Sequence, residues 1–194
     1  MTKVIFEISM SLDGYVTASG VRPEETMGDG GQQLHEWAFG ADERGREILA
    51  ESQAGVGASI AGRRTYDLSV PWWGADGPGG SARTPTFIVS HGVPEDVPEG
   101  SVYTFVDDPV EALDQAIAAA GDKDADVFSP NIGQQLLRAA RVDEVRLHVV
   151  PVLFGAGTHL VENLGEEGHI QLELTGMEKG QKAIHLRYAV VKAT

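Results

Sequence analysis

The segment of residues 128–160 constrains the fold of this chain more than any other part of the sequence. Apolar residues recur at helical spacing between positions 132 and 139, which predicts a short amphipathic helix. From 145 to 149 apolar residues alternate with Arg and His, which predicts a half-exposed strand. A proline and a Gly-x-Gly turn follow. A tight succession of turn, helix and strand is typical of an α/β domain.

The same alternation of strand and helix patterns extends over most of the sequence. Strands are predicted at 4–10, 56–61, 86–90, 102–106, 125–128, 170–174 and 183–191, and helices at about 32–39, 42–53 and 109–120. Asp42 is the predicted cap of the second helix, and Asp107 or Asp108 that of the third. The predicted buried residues of the third helix are Val110, Leu113, Ile117 and Ala120. Two Gly-rich polar stretches, 11–31 and 71–85, are predicted to be loops. We therefore expect one domain over residues 1–194: a three-layer α/β sandwich with a mixed, mostly parallel central sheet and antiparallel C-terminal strands.

Composition limits the possible partners and the cellular location. The formal net charge is −14 and there is no cysteine, so disulfides and thiolate metal sites are excluded. A strongly acidic surface repels nucleic acid and anionic membranes. The N-terminus lacks the features of a secretory signal, and no apolar run is long enough to cross a bilayer. These features predict a cytoplasmic protein that binds neither nucleic acid nor membrane.

An arginine-containing turn follows the second predicted strand. It has the sequence Gly62-Arg63-Arg64-Thr65. If a helix begins at Arg64 or Thr65, its free N–H groups and its dipole favour a bound phosphate. A guanidinium fork suits the same ligand. An ordinary helix start with solvated arginines explains the spacing equally well.

Several motifs in order resemble the dihydrofolate reductase-like family, specifically the C-terminal domain of the riboflavin-biosynthesis reductase. They are Ser11-Leu12-Asp13-Gly14, Gly62-Arg63-Arg64-Thr65, Val142-Asp143-Glu144 and Pro151-Val152-Leu153-Phe154-Gly155. The resemblance covers essentially the whole chain. It implies a dihydrofolate reductase-like fold, NADPH as the cofactor, and a homodimer in contact through residues 145–150 and 183–191.

The resemblance also implies which residues bind the cofactor. They are Gly62, Arg63, Arg64, Thr65, Ser90, His91, Ser129, Pro130, Asn131 and Ile132. The family has a Gly-Gly pair joined by a cis peptide where this chain has Ser129-Pro130. Because the cis form is accessible to X–Pro bonds, we expect a cis Ser129–Pro130 bond. Pro130 removes one N–H donor, which puts the strength of cofactor binding in question.

A second set of residues is implied for substrate. Glu36 and His35, on the first predicted helix, are the candidate proton donors because both exchange protons. Ser9, Asp13, Val16 and Trp37 are the implied substrate contacts. A surface glutamate beside a packed tryptophan is the alternative for Glu36.

The remaining aromatic and histidine residues support no specific site. Trp72 and Trp73 lie in the predicted Gly-rich loop, where they either close over a substrate or fill a sheet edge or subunit contact. Arg83 is a further candidate anion contact in the same stretch. His148, His159, His169 and His185 lack zinc-site spacing, so we expect no metal. Alternation places His148 and His185 on outward faces.

The leading functional prediction is reduction of a small heterocycle, or of another planar C=N or C=O group, by hydride from NADPH. The zinc-binding deaminase half of the bifunctional riboflavin enzyme is not represented in this sequence. Two alternatives remain: a non-catalytic ligand-binding or structural homodimer that has lost cofactor affinity, and a dihydrofolate or pteridine reductase.

Overall fold

The computed structural model describes residues 2–162, 164 and 169–192. The strands of this part of the chain are β1 (Val4–Ser11), β2 (Tyr15–Ala18), β3 (Val56–Gly62), β4 (Thr86–Val89), β5 (Tyr103–Val106), β6 (Asp124–Val127), β7 (Glu144–Val150), β8 (Gly157–His159), β9 (Leu172–Lys179) and β10 (Ile184–Val190). The α-helices are α1 (Glu36–Phe39), α2 (Glu43–Gly55), α3 (Arg63–Trp73), α4 (Pro109–Ala120) and α5 (Pro130–Arg138), and short 3-10 helices cover Gly31–His35, Gly74–Asp76 and Gly80–Ala82.

Eight strands form a mixed sheet in the order β5-β4-β3-β6-β1-β7-β10-β9. Neighbours from β5 to β1 run parallel, whereas β10 runs antiparallel to both β7 and β9. The predicted mixed α/β sheet with antiparallel C-terminal strands is therefore confirmed. Across the described residues, no helix combines the length and the apolar character that crossing a bilayer requires.

Both predicted loops contain regular structure that the sequence pattern did not reveal. The stretch 11–31 includes β2, which pairs antiparallel with β8, so its assignment as a structureless loop was wrong. The stretch 71–85 begins inside a helix, because α3 continues through Pro71 to Trp73. A proline in the last turn removes only the one bond from its own nitrogen, and the preceding turns still hold the helix.

The chain divides into two compact units. The first unit comprises the residues up to Phe6 together with Gly55–Val142. Its strands β3, β4 and β6 carry α4, and Asp108 caps that helix by accepting from the N–H groups of Val110 and Glu111. The buried residues of α4 are Ala112, Leu113, Ala116 and Ala120. Leu113 and Ala120 are therefore buried as predicted, whereas the small side chains of Ala112 and Ala116 are buried in place of Val110 and Ile117.

The second unit comprises Glu7–Ala54 and the chain from Asp143 onward. Its core contains Leu34, Trp37, Ala38, Ile48, Val150 and Ala183. The buried Asp42 precedes α2 and accepts the Gly45 N–H at 3.1 Å, as the sequence predicts for a cap. Its second oxygen accepts the N–H groups of Gln181 and Lys182, at 2.9 and 3.0 Å. One carboxylate thus fixes both the start of α2 and the turn between β9 and β10.

Candidate functional site

The arginine-containing turn forms the start of α3 in the first unit. Gly62 ends β3 in an extended conformation, and α3 begins at Arg63, one residue before the earlier of the two predicted starts. No side chain caps this helix, so its first N–H groups and the positive end of its dipole remain available to an anion.

A second helix start lies beside the first. Ser129 precedes α5, yet it makes no capping hydrogen bond within its own helix. Its hydroxyl instead donates to Thr65 Oγ1 at 2.7 Å and accepts the Gly62 N–H at 2.8 Å. Because β3 and β6 are parallel neighbours, both helices begin at the same edge of the sheet. Two uncapped helix N-termini are thus joined through one serine.

The peptide bond between Ser129 and Pro130 is trans, since the described residues contain no cis peptide bond. The prediction of a cis bond was therefore wrong. Pro130 is the first residue of α5, a position where its fixed φ suits the helix and its missing N–H would have no intrahelical partner. The helix start thus accommodates the proline without a cis bond.

The two arginines of the turn occupy different environments. The Arg63 guanidinium pairs with Asp67 at 2.7 Å and reaches Ser90 Oγ and the Gly92 carbonyl, each at 3.3 Å. Ser90 follows β4, which is parallel to β3, so it lies at the same end of the strands as the start of α3. Arg64 is exposed. It makes no ion pair within the described part of the chain, so its charge is available to a ligand.

The remaining residues predicted to bind the cofactor differ in how far they are exposed to solvent. Ile132 is buried, and a Cβ built on Gly62 would lie 3.2 Å from its Cγ1. Glycine therefore keeps the turn close to α5. Asn131 is exposed and accepts a hydrogen bond from Gln135. The His91 side chain is almost fully exposed and pairs with Asp107, so it is the predicted residue most accessible to solvent.

The implied substrate residues lie in the second unit, and two of them are in direct contact. Trp37 Nε1 donates to Ser9 Oγ at 2.9 Å, and both residues are buried. Val16 is buried in β2. Asp13 accepts from Ser11 Oγ and from the Gly155 N–H. The Ser11 hydrogen bond is the main cause of its lowered pKa, and the backbone bonds add to it. Asp13 therefore organises a turn in this unit.

The two candidate proton donors differ in exposure. Glu36 is exposed and lies 3.2 Å from Lys182 Nζ, so its carboxylate has a surface ion-pair partner. His35 is partly buried and contacts Phe39 edge-on. Burial, with a smaller contribution from His148, lowers the pKa of His35. The imidazole of His35 is therefore neutral at pH 7.

The second unit also contains a buried polar cluster that sequence reasoning missed. His148 and His185 are only 4% and 5% exposed, so their predicted outward placement was wrong. Their Nδ1 atoms are 2.8 Å apart, and His148 Nε2 lies 3.0 Å from Glu7 Oε1. Trp37 packs on both imidazoles, with ring centroids 4.0 and 4.9 Å away. The pairing of the two histidines across neighbouring strands was the signal that could have indicated this cluster. The sequence does not reveal, however, which face of the sheet is covered.

The tryptophan pair does not form a loop, because both residues lie in the last turn of α3. Trp73 packs edge-on against Phe128 at 5.5 Å, within the first unit. Trp72 is 78% exposed. Arg83 pairs with Asp76 and donates to the Gly100 carbonyl, which ties it to its own loop. Of these residues, Trp72 has the side chain most accessible to a ligand or partner.

The first unit thus places two helix N-termini side by side at the carboxyl ends of parallel strands. Residues 2–186 match the family model of the RibD C-terminal domain. The chain therefore belongs to the RibD C-terminal domain family, whose fold is reductase-like.

Solved structures agree with this fold. A protein of Shewanella sp. PV-4 assigned to riboflavin biosynthesis is 21% identical with a TM-score of 0.74, over 98% of this chain and 100% of that one. RibD of Acinetobacter baumannii is 16% identical with a TM-score of 0.66, over 99% of this chain but 59% of that one.

A more distant relative extends the fold similarity to dihydrofolate reductase. The Enterococcus faecalis enzyme, solved with NADP(H), is 12% identical with a TM-score of 0.58, over 98% of this chain and 97% of that one. No curated protein sequence matches the chain significantly. At these identities the structural similarities establish the fold, and the fold they share is that of dihydrofolate reductase.

Proposed function

We propose that this protein is an NADPH-dependent oxidoreductase that reduces a small heterocyclic substrate, or another planar C=N or C=O group, by hydride transfer. The observation that carries the proposal is the pair of uncapped helix N-termini joined by Ser129. Family membership supports the same function, because the RibD C-terminal domain has a reductase-like fold.

The residues at these helix starts fit a dinucleotide. Two helix dipoles and two sets of first-turn N–H groups provide positive potential where a pyrophosphate needs it. Arg64 adds an exposed charge, and Arg63 adds a guanidinium held beside Ser90. These local groups offset the repulsion that a net charge of −14 exerts on an anionic cofactor.

The replacement of the family's Gly-Gly pair leaves this fit intact. Pro130 removes one N–H, but Asn131 and Ile132 of the same first turn keep theirs. The close packing of Gly62 on Ile132 preserves the narrow approach of the two helices. We therefore expect cofactor binding to persist.

When bound, NADPH supplies the hydride, and the protein supplies orientation and exclusion of water. In the second unit, the buried Trp37 is held by Ser9, so these two implied substrate residues give the unit a rigid core rather than a free surface. His35 is the better candidate for hydrogen bonding to the reduced group, because Glu36 pairs with Lys182 near solvent. As a neutral imidazole, His35 donates an N–H without carrying a full charge.

The test is cofactor titration followed by turnover. Trp37, Trp72 and Trp73 are the intrinsic fluorescence reporters, and quenching on addition of NADPH at micromolar to millimolar concentration is the expected result. NADPH oxidation with pyrimidine, pteridine and carbonyl substrates then identifies the substrate class. Absence of binding at millimolar NADPH favours the non-catalytic alternative, and turnover of dihydrofolate alone favours the pteridine reductase.

We also propose that the protein forms a homodimer through one face of the antiparallel strands β7, β10 and β9. In an antiparallel sheet, residues directly opposite one another point to the same side. The pairing of β7, β10 and β9 therefore collects one set of side chains on one face, which are apolar or aromatic except for Lys179: Val145, Leu147, Val149, Leu172, Leu174, Met177, Lys179, Ile184, Leu186, Tyr188 and Val190. We call this the apolar face.

The apolar face suits a second copy of the chain. Leu174, Met177 and Ile184 are 55%, 72% and 44% exposed, and contiguous apolar exposure of this kind marks interaction surfaces. The carboxylates of these strands, such as Glu173 and Glu178, point to the opposite face. Two strongly acidic copies therefore approach each other with least repulsion on this side, and a two-fold axis makes the contact self-complementary.

A further inference from the structure

Strand pairing brings two buried histidines of the second unit together. In the register of β7 and β10, His148 lies directly opposite His185. Trp37 covers both rings. The Nδ1 atoms approach to 2.8 Å, a normal hydrogen-bond distance that requires one proton between them. Two neutral or singly charged imidazoles satisfy this contact only when one donates and the other accepts.

A carboxylate determines the protonation of the first histidine. Glu7 Oε1 lies 3.0 Å from His148 Nε2, and Glu7 Oε2 accepts from Ser52 Oγ at 2.5 Å. Burial opposes ionisation of Glu7, but His148, Ser52 and Arg146 together lower its pKa below the ordinary value. Glu7 is therefore an ionised carboxylate at neutral pH, and it can only accept hydrogen bonds. His148 must then carry a proton on Nε2.

Two proton arrangements of the histidine pair meet these conditions. In the neutral arrangement, His148 Nδ1 is unprotonated and accepts a hydrogen bond from His185 Nδ1–H. His185 Nε2 is then also unprotonated. In the singly charged arrangement, His148 is protonated on both nitrogens and donates a hydrogen bond to an unprotonated His185 Nδ1. The proton of His185 is then on Nε2. One added proton converts the first arrangement into the second: it binds at His185 Nε2, and the shared proton moves from His185 to His148.

We propose that Glu7, His148 and His185 form a buried proton relay that shares one proton at the histidine–histidine contact and holds a single positive charge beside Glu7. Uptake of a further proton places hydrogens on both Nδ1 atoms, so the contact opens in acid. His185 Nε2, where the added proton binds, is buried and has no hydrogen-bond partner among the described residues, so neither protonation state of this nitrogen is fixed by an acceptor or a donor beside it. This relay is independent of the proposed cofactor site.

Burial is the main reason why a positive charge on His185 is disfavoured. Burial, and then the charge of His148, lower the pKa of His185 to about 4, against the opposing effects of Glu178, Asp42 and Glu7. A cavity of about 180 Å³ borders Glu7, His148 and His185, which gives room for water. The other titratable or charged groups that face the relay are His35, Glu51, Arg146 and Arg187.

The test is nitrogen-15 NMR of the histidine side chains in the full-length protein, which reports the tautomer and protonation of each ring. From about pH 8 to about pH 4, we expect His148 to keep its Nε2 proton throughout. His185 should change from the Nδ1–H to the Nε2–H tautomer at the same midpoint at which His148 becomes charged. Independent midpoints, or a His185 tautomer that never changes, would overturn the proposal.

A variant tests the role of the carboxylate. Glu7→Gln keeps an oxygen acceptor for His148 but removes its charge, so the shared midpoint should fall by roughly 1 to 3 pH units. His159→Gln is the matched control, because it removes an exposed histidine of the same unit and should leave that midpoint unchanged. An unshifted midpoint in Glu7→Gln contradicts the relay. If this variant does not fold, the tautomer change in the unaltered protein still decides.

Discussion

Ser129 illustrates how a single residue determines the chemistry available at the cofactor site. Its hydroxyl bonds with Thr65 and Gly62 rather than capping its own helix. A conventional serine cap would occupy N–H groups at the start of α5. Because the hydroxyl is used elsewhere, both helix starts keep their donors for an anion. The sequence indicated Ser129, but the direction of its hydroxyl group depends on how the start of α3 lies beside the start of α5.

A glycine in α5 is required by the ring beside it. A Cβ added at Gly133 would lie 2.4 Å from atoms of the Phe6 ring, and both residues are buried in the first unit. We expect Gly133→Ala to lower the free energy of unfolding by about 1–3 kcal/mol, the usual cost of overpacking. Urea denaturation measures the change.

The matched control for this prediction is Gly55→Ala. Gly55 ends α2, and a Cβ there meets nothing within 4 Å. This variant should be neutral or slightly stabilising, because alanine has the higher helix propensity. Equal stability of Gly133→Ala and the unaltered protein would contradict the packing described for α5.

At the scale of elements, one carboxylate joins a helix to a hairpin. Asp42 accepts backbone N–H groups from the first turn of α2 and from the β9–β10 turn. Burial alone would raise the pKa of Asp42, but these backbone bonds, with His185, lower it. Asp42→Ala leaves one buried and two partly buried backbone N–H groups without this acceptor, so we expect a loss of about 1–3 kcal/mol in the free energy of unfolding.

Glu43→Ala is the control for Asp42→Ala. It removes the neighbouring exposed carboxylate at the start of α2, and surface changes of this kind usually stay within about 0.5 kcal/mol. Chemical denaturation of both variants gives the comparison. Similar losses in the two would show that the Asp42 hydrogen bonds do not hold the hairpin turn.

Long alternating segments and capping residues were predictable because their signals are local. Asp42 was identified as a cap from the sequence, and Asp108 was one of two candidates for the other cap. The antiparallel C-terminal strands follow from period-two alternation. β2 was missed because its four residues gain their partner only from β8, more than a hundred positions later. A short strand of this kind has no local periodicity to detect.

The placement of the histidines failed for a related reason. Alternation correctly puts His148 and His185 on one side of their strands, but it does not say which side the helices cover. Trp37 and α2 cover the polar side, whereas Leu174, Met177 and Ile184 of the apolar face remain exposed. Polar residues on a covered side require partners, and the sequence offers no pattern that links Glu7 to His148.

At the scale of the whole molecule, stability should fall as the pH is lowered. The folded-state pKa of His185 is about 4, against 6.5 for the free side chain, because of burial and the charge of His148. Between these values the unfolded state binds more protons, so the free energy of unfolding falls as pH decreases from about 6.5 towards 4. His35, whose pKa is also lowered by burial, adds to this slope.

Thermal unfolding at a series of pH values tests this expectation. Above about pH 5 the carboxylates contribute little to the pH dependence of stability. A decline in melting temperature between pH 6.5 and pH 5 therefore reports on the histidines. Replacing His185 with glutamine should flatten the decline, whereas His159→Gln should leave it unchanged. A melting temperature that stays constant from pH 6.5 to pH 5 would contradict the assignment.

Assembly is the second whole-molecule prediction. Met177→Glu places a charge at the most exposed position of the apolar face, so a dimer should dissociate into monomers while each copy remains folded. Multi-angle light scattering and circular dichroism measure the two properties. Glu173→Gln, on the opposite face of β9, should remain dimeric. A monomeric unaltered protein at high concentration would refute the dimer.

Calorimetric titration of NADPH tests the central claim most directly. We expect the unaltered protein and Arg138→Gln, at the far end of α5, to bind NADPH with the same affinity. Arg63→Gln should bind about 10- to 100-fold more weakly, since a charge-assisted hydrogen bond contributes about 1.5–3 kcal/mol. No heat of binding from folded, unaltered protein at millimolar NADPH, or equal affinities for all three proteins, would contradict a phosphate site at the paired helix starts.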